Sequence, residues 1–231
     1  MNRKPRNDSA GGENTEGGDR LNKSYLAKKR FRESMEMNYE KWHDGIGYDL
    51  DALDEMTTED KDQMVEMLGS DLREPWRSFE ALNHLNTTKA MSIIQEALGH
   101  PKLEVRIAAA RFVKGADSAR EMVLIEAIEK SDVYAGLTQA LDQVETFHPQ
   151  GVIDALLRGL LKRGDSGAVN FAGMLLFIHG KADSSFDWSR RPLFLKFESG
   201  DLNERKSAFV ELCAILDVGP KRYLDEWTKG D

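Results

Sequence analysis

Apolar side chains return along this chain with the 3.6-residue period of an α-helix, and nowhere with a two-residue alternation long enough to build a sheet. The cleanest stretch is Ala90, Ile93, Ile94, Ala97 and Leu98, which fall on one helical face starting at Thr87 and ending where Gly99-His100-Pro101 breaks the helix. Ahead of it, Thr57 or Thr58 is expected to cap a helix that runs to Leu68 and ends at Gly69. Pro75 opens the next helix, with Trp76, Phe79, Leu82 and Leu85 as its predicted buried stripe. Further helices are predicted from Leu103 to Val113, from Asp117 or Ser118 to Glu129, from Asp132 to Val144, from Pro149 to Lys162, from Ser166 to Ile178, from Leu202 to Leu216, and after Pro220. In the Ser166 to Ile178 segment, Phe171, Met174, Leu175, Leu176, Phe177 and Ile178 cover almost the whole circumference, which predicts a central helix buried on several sides.

The first residues read differently. Residues 1–20 hold Gly11-Gly12, Gly17-Gly18 and few apolar side chains, too little to offset the entropy of ordering, so residues 1–23 are expected to form a disordered tail. Phe31, Met35, Tyr39 and Trp42 then recur at helical spacing, which predicts an N-terminal capping helix. With the acidic loop that follows, it accounts for residues 24–56, and residues 57–228 make up the repeat domain.

Taken in pairs, the helices place second-helix starts near Pro75, Leu103, Val133, Ser166 and Leu202, separated by 28, 30, 33 and 36 residues. A unit this short cannot enclose its own apolar face and must stack on its neighbours. The Pro-x-x-x-Val-Arg-x-x-Ala-Ala pattern from Pro101 to Ala110 resembles HEAT-like repeats of the short, phycobilisome-lyase type. Trp76-Arg77-Ser78-Phe79-Glu80-Ala81-Leu82 is a weaker copy, and Tyr134 to Leu141 keeps the apolar spacing without the Val-Arg pair. The resemblance implies an all-α fold, a right-handed HEAT-like α-solenoid of about five helical hairpins, and an activity of binding other proteins. Bacterial proteins of this size and acidity that resemble the family include immunity proteins, which neutralise toxins.

Charge sharpens the picture. The total of −8 hides an uneven distribution: residues 1–34 carry nine Lys/Arg against five Asp/Glu, and residues 40–74 carry three against twelve. An acidic block repels phosphate backbones, so nucleic acid is not the expected partner, and a basic protein surface is. The alternative for the block is a solvated surface; Lys28-Lys29-Arg30 with Arg32 reads as a solvated face, with contact to an acidic partner as its alternative. The lone Cys213 lies in an apolar run, and the N-terminus lacks a secretory apolar region. Both point to a reducing cytoplasmic address, and no segment is apolar enough to span a membrane.

Motifs for catalysis are weak. Asp49, Asp51, Asp54 and Glu55 cluster, but Leu53 and Asp54 break the spacing of a calcium loop. His43, His84, His100, His148 and His179 never stand at i, i+3 or i, i+4, so zinc has no support. Ser184-Ser185 lacks the context of a nucleophile elbow, and Gly45-Ile46-Gly47 is too short for a phosphate loop. No catalytic residue, metal or cofactor is therefore expected. The loop from Asp183 to Pro192 carries Phe186, Trp188 and Arg190, residue types that concentrate at interfaces, although the two aromatics would equally serve as a plug for the end of the core.

The sequence thus predicts a non-catalytic protein-binding solenoid, most specifically an immunity-type inhibitor of a basic toxin or effector domain. Asp49, Asp51, Asp54, Glu55, Glu59, Asp60 and Asp62, together with Phe186, Trp188 and Arg190, are its expected contacts. A structural scaffold or adaptor, and a HEAT-like enzyme acting as a lyase or on DNA, are the alternatives.

Overall fold

Helix-capping residues stand where the apolar period begins, and the backbone follows them. The computed structural model describes residues 13–228; among these, fourteen α-helices form and no strand. The chain divides into two units, one ending at Ile94 and one starting at Gln95.

The first unit contains α1 (Glu13–Met35), α2 (Tyr39–His43), α3 (Leu50–Asp54), α4 (Thr58–Ser70), α5 (Pro75–Leu85) and most of α6 (Thr88–Ala97). Asp49 caps α3 by accepting from the Ala52 N–H, and Thr57 caps α4 by accepting from the Asp60 N–H, each relieving an unpaired backbone donor. Pro75 occupies the first turn of α5, and Asn86, left-handed at φ 48°, ends it. Gly69 lies inside α4 and does not end it. In α5, Phe79 and Leu82 are fully buried, whereas Trp76 and Leu85 of the expected stripe are only half-buried.

α1 departs from expectation at both ends. Its backbone is helical from Glu13, inside the segment whose composition predicts a tail, while residues 1–12 lie outside the described ones. Residues 18–23 are all exposed, so this part of α1 rests on propagation from the docked turns, where Ser24, Ala27 and Phe31 are buried at i, i+3 and i+7. The helix then stops at Met35. The Lys41 ammonium donates to the carbonyls of Glu33, Ser34 and Glu36 at 3.2, 3.3 and 2.8 Å, satisfying the C-terminal acceptors of α1. Tyr39 is consequently 76% exposed, and the predicted continuous stripe from Phe31 through Tyr39 does not form.

The second unit contains α7 (Leu103–Ala110), α8 (Asp117–Lys130), α9 (Thr138–Val144), α10 (Gln150–Lys162), α11 (Ser166–Ile178), α12 (Arg191–Leu195), α13 (Leu202–Leu216) and α14 (Lys221–Trp227). α8 packs on α7 and on α10, and α10 packs on α11, α13 and α14, so each helix covers the apolar face of its neighbours. α11 is buried from Gly167 through Met174 apart from half-buried Asn170, as its all-round apolar character predicts. Gly159 of α10 allows close approach: a β-carbon there would come within 2.6 Å of the Phe171 ring.

The predicted helix from Asp132 to Val144 is broken. Gly136 adopts φ 93° and Ala135 is also non-helical, so α9 starts only at Thr138. After α11, the segment read as a loop up to Pro192 holds a 3-10 turn (Trp188–Arg190) and the start of α12, and a second 3-10 turn (Lys196–Glu198) follows α12. Leu193, Phe194 and Phe197 from these short pieces enter the core.

Candidate functional site

The acidic segment meets the basic face of α1 within the same unit. Arg30 donates from Nε to Asp49 Oδ2 at 2.7 Å and from Nη2 to Glu55 Oε1 at 3.0 Å, while Lys23 lies 3.7 Å from Glu55 Oε2. Lys28 Nζ donates to Asp60 Oδ1 at 2.8 Å. Buried Ser24 completes the contact: its hydroxyl donates to Asp60 Oδ2 at 2.6 Å and accepts from the Thr57 N–H at 2.8 Å. The Lys28 and Ser24 hydrogen bonds hold the Asp60 carboxyl below the usual carboxylate range, and Arg30 does the same for Glu55.

Of the seven acidic contacts predicted from sequence, Asp49, Glu55 and Asp60 are therefore paired within the chain, and Asp54 stands 3.0 Å from His84 Nε2. Lys28 and Arg30, read from sequence as a solvated face, are the residues that pair them. Asp51, Glu59 and Asp62 remain exposed, with no hydrogen bond or ion pair among the described residues.

Beside this contact lies a cleft of about 500 Å³ that the sequence did not suggest. Met35, Met37 and Met67 form adaptable apolar walls, and Arg32, Glu36, Asp71, Arg73 and Glu74 provide charges of both signs. Tyr48 lines it with its ring edge-on to Phe31 at 5.8 Å, and burial raises its phenol above the ordinary value. Arg77, 2% exposed, fixes the neighbouring backbone by donating to Ile46 O at 3.0 Å and to Glu74 Oε2 at 2.8 Å, with its guanidinium 4.4 Å from the Trp76 ring. The lining residues come from scattered points in the chain, which no short-range spacing could have revealed.

In the second unit, the loop after α11 presents Phe186 with 60% of its surface exposed. The plug role considered for Phe186 is thus filled by Phe194 and Phe197, both fully buried downstream. Arg190 is exposed at the end of the 3-10 turn that starts at Trp188, whose side chain lies outside those described. Ser185 is buried and donates to Glu145 Oε1. Next to it, Asp142 is raised above the ordinary carboxylate range, first by burial and then by the charge of Glu145.

Other chemically capable groups are shielded. Cys213 is fully buried and its thiol is pushed up to about 11 by burial, far from a nucleophilic thiolate. His179 is held below its ordinary value by burial and by the nearby His148. No group of three or more His, Cys, Asp or Glu among the described residues is placed to hold a metal ion, and none of their helices is long and apolar enough to cross a membrane.

No family model, curated protein or solved structure matches this chain.

Proposed function

We propose that this protein works without catalysis, as a HEAT-like helical array, right-handed as the resemblance implies, that binds another protein. In its specific form it is an immunity-type inhibitor covering a basic toxin or effector domain. The observation that carries this reading is Phe186. An anchored loop holds a large apolar ring out of a core that buries phenylalanines on either side of it in sequence, an arrangement that a protein partner rewards and solvent does not. Carboxylates without ionic partners supply the bias toward a basic surface: Asp51, Glu59 and Asp62 in the first unit, and Asp142 and Glu145 in the second.

Capture from the native host with the full chain tests the reading. An inhibitor recovers one tight, basic partner, whereas a scaffold recovers several, and turnover of a substrate by the chain alone would favour a HEAT-like enzyme. Reversing Asp51, Glu59 and Asp62 to lysine should weaken binding and flatten its dependence on salt. Unchanged affinity would remove the first unit's acids from the interface.

A further inference from the structure

α9 and α11 build a small pocket under Phe186. Leu141, Asp142 and the helix-ending Glu145 face it from α9, and Asn170 and Met174 face it from α11. The cavity is about 30 Å³, room for one or two water-sized groups. Leu141, Met174 and Phe186 make apolar walls, and the carboxylates of Asp142 and Glu145 line it beside them. Neither carboxylate is ion-paired among the described residues, and Arg111, which acts on Asp142 electrostatically, makes no ion pair with it. Asp142 is exposed and Glu145 half-buried, one helical turn apart, and desolvation together with the charge of Glu145 raises Asp142, against the opposing pull of Arg111.

The wall that carries Phe186 is fixed in place. Ser185 is tied to Glu145, and its carbonyl packs so closely on α11 that a β-carbon at Gly173 would come within 2.7 Å of it. The aromatic ring is therefore held at the pocket mouth by contacts on both helices.

We infer that this pocket receives a lysine side chain from a protein partner. An ammonium group is about the size of a water molecule and fits the cavity, whereas a planar guanidinium is too broad for it. The methylene stem of lysine lies along Met174 and Phe186, the ammonium meets Asp142 and Glu145, and the exposed ring face adds cation–π attraction. Charge complementarity selects this occupant over a purely apolar one. The inference rests on the protein-binding reading and names one contact within it.

The test is an NMR titration of the full chain with acetyl-Gly-Lys-Gly-amide and with matched arginine and norleucine peptides. The lysine peptide is expected to give saturable shifts at Asn170 and Phe186, with weaker binding by the arginine peptide and none by the norleucine peptide. Asp142→Asn and Glu145→Gln should each weaken lysine binding about fivefold, the value of one partly exposed ion pair. Gln still accepts the Ser185 hydroxyl, so Glu145→Gln keeps the loop anchored and reports charge alone. Phe186→Ala should weaken binding as well, with an unchanged circular-dichroism spectrum. Equal binding of the norleucine peptide, shifts confined to the first unit, or affinity unaltered in both carboxylate variants would overturn the pocket. A captured partner whose affinity ignores Glu145→Gln would also remove the pocket while leaving the protein-binding reading intact. Saturable binding of the lysine peptide by a chain that captures no partner would support the pocket and count against that reading.

Discussion

Gly159→Ala pits helix propensity against packing, and the structure decides the sign. Replacing glycine with alanine inside an exposed helix stabilises it by roughly 1 kcal/mol. Here the new β-carbon would stand 2.6 and 2.8 Å from two carbons of the Phe171 ring, closer than real β-carbons come, and 3.8 Å from Ile128. The ring is fully buried and Ile128 is buried beside it, so no free space lets the ring step aside. Overpacking of this kind costs about 1–3 kcal/mol. With two ring carbons inside 3 Å the upper half of that range, about 2–3 kcal/mol, applies, so after the propensity gain the variant should lose about 1–2 kcal/mol net, with faster hydrogen exchange in α10 and α11 and a lower urea midpoint for the second unit. Phe171→Leu in the same background should recover part of the loss, so the double mutant falls short of the sum of the singles. Gly69→Ala is the control. Its β-carbon would meet only the side chain of half-buried Ile93, at 2.9 Å from Cδ1, 3.3 Å from Cγ2 and 3.5 Å from Cγ1, and that partly exposed side chain has room to shift, leaving stability unchanged or raised by up to about 1 kcal/mol. A Gly159→Ala protein as stable as its parent, or strictly additive effects with Phe171→Leu, would refute the reasoning.

Two more outcomes follow from buried groups. Arg77→Ala deletes a buried cation with two short hydrogen bonds and strands the Ile46 carbonyl, so the first unit should lose about 3 kcal/mol, read from native-state hydrogen exchange of the α4 and α5 amides. His179 is depressed below its ordinary value, so the unfolded chain takes up the proton first. The second unit should lose stability as pH falls from about 6.5 toward the folded-state value, and thermal melts of His179→Gln should show that slope reduced.

The helices were legible because their boundaries carry chemistry of their own: Thr57 caps α4 and Pro75 opens α5, as their residue types predict. Two breaks were not. Across Gly136, the apolar period continues smoothly through Leu137, Ala140, Leu141 and Val144, so nothing in the spacing marks the turn. After Met35 the spacing also continues, but Lys41 ends the helix by folding back onto its carbonyls, a tertiary event. The acidic segment was visible as composition, yet its pairing with Arg30 and Lys28 joins residues some twenty to thirty positions apart and could not be summed from local charge. The Phe186 loop was singled out by residue type, whereas its carboxylate neighbours on α9 and its floor on α11 come together only through folding.

The burial of Cys213 has a practical consequence. A thiol sealed in α13 stays silent toward maleimides in the native protein, so a second cysteine placed at any exposed site can be tagged alone. Dyes for distance measurement, or photo-crosslinkers beside Phe186, can thus be attached without first redesigning the native sequence.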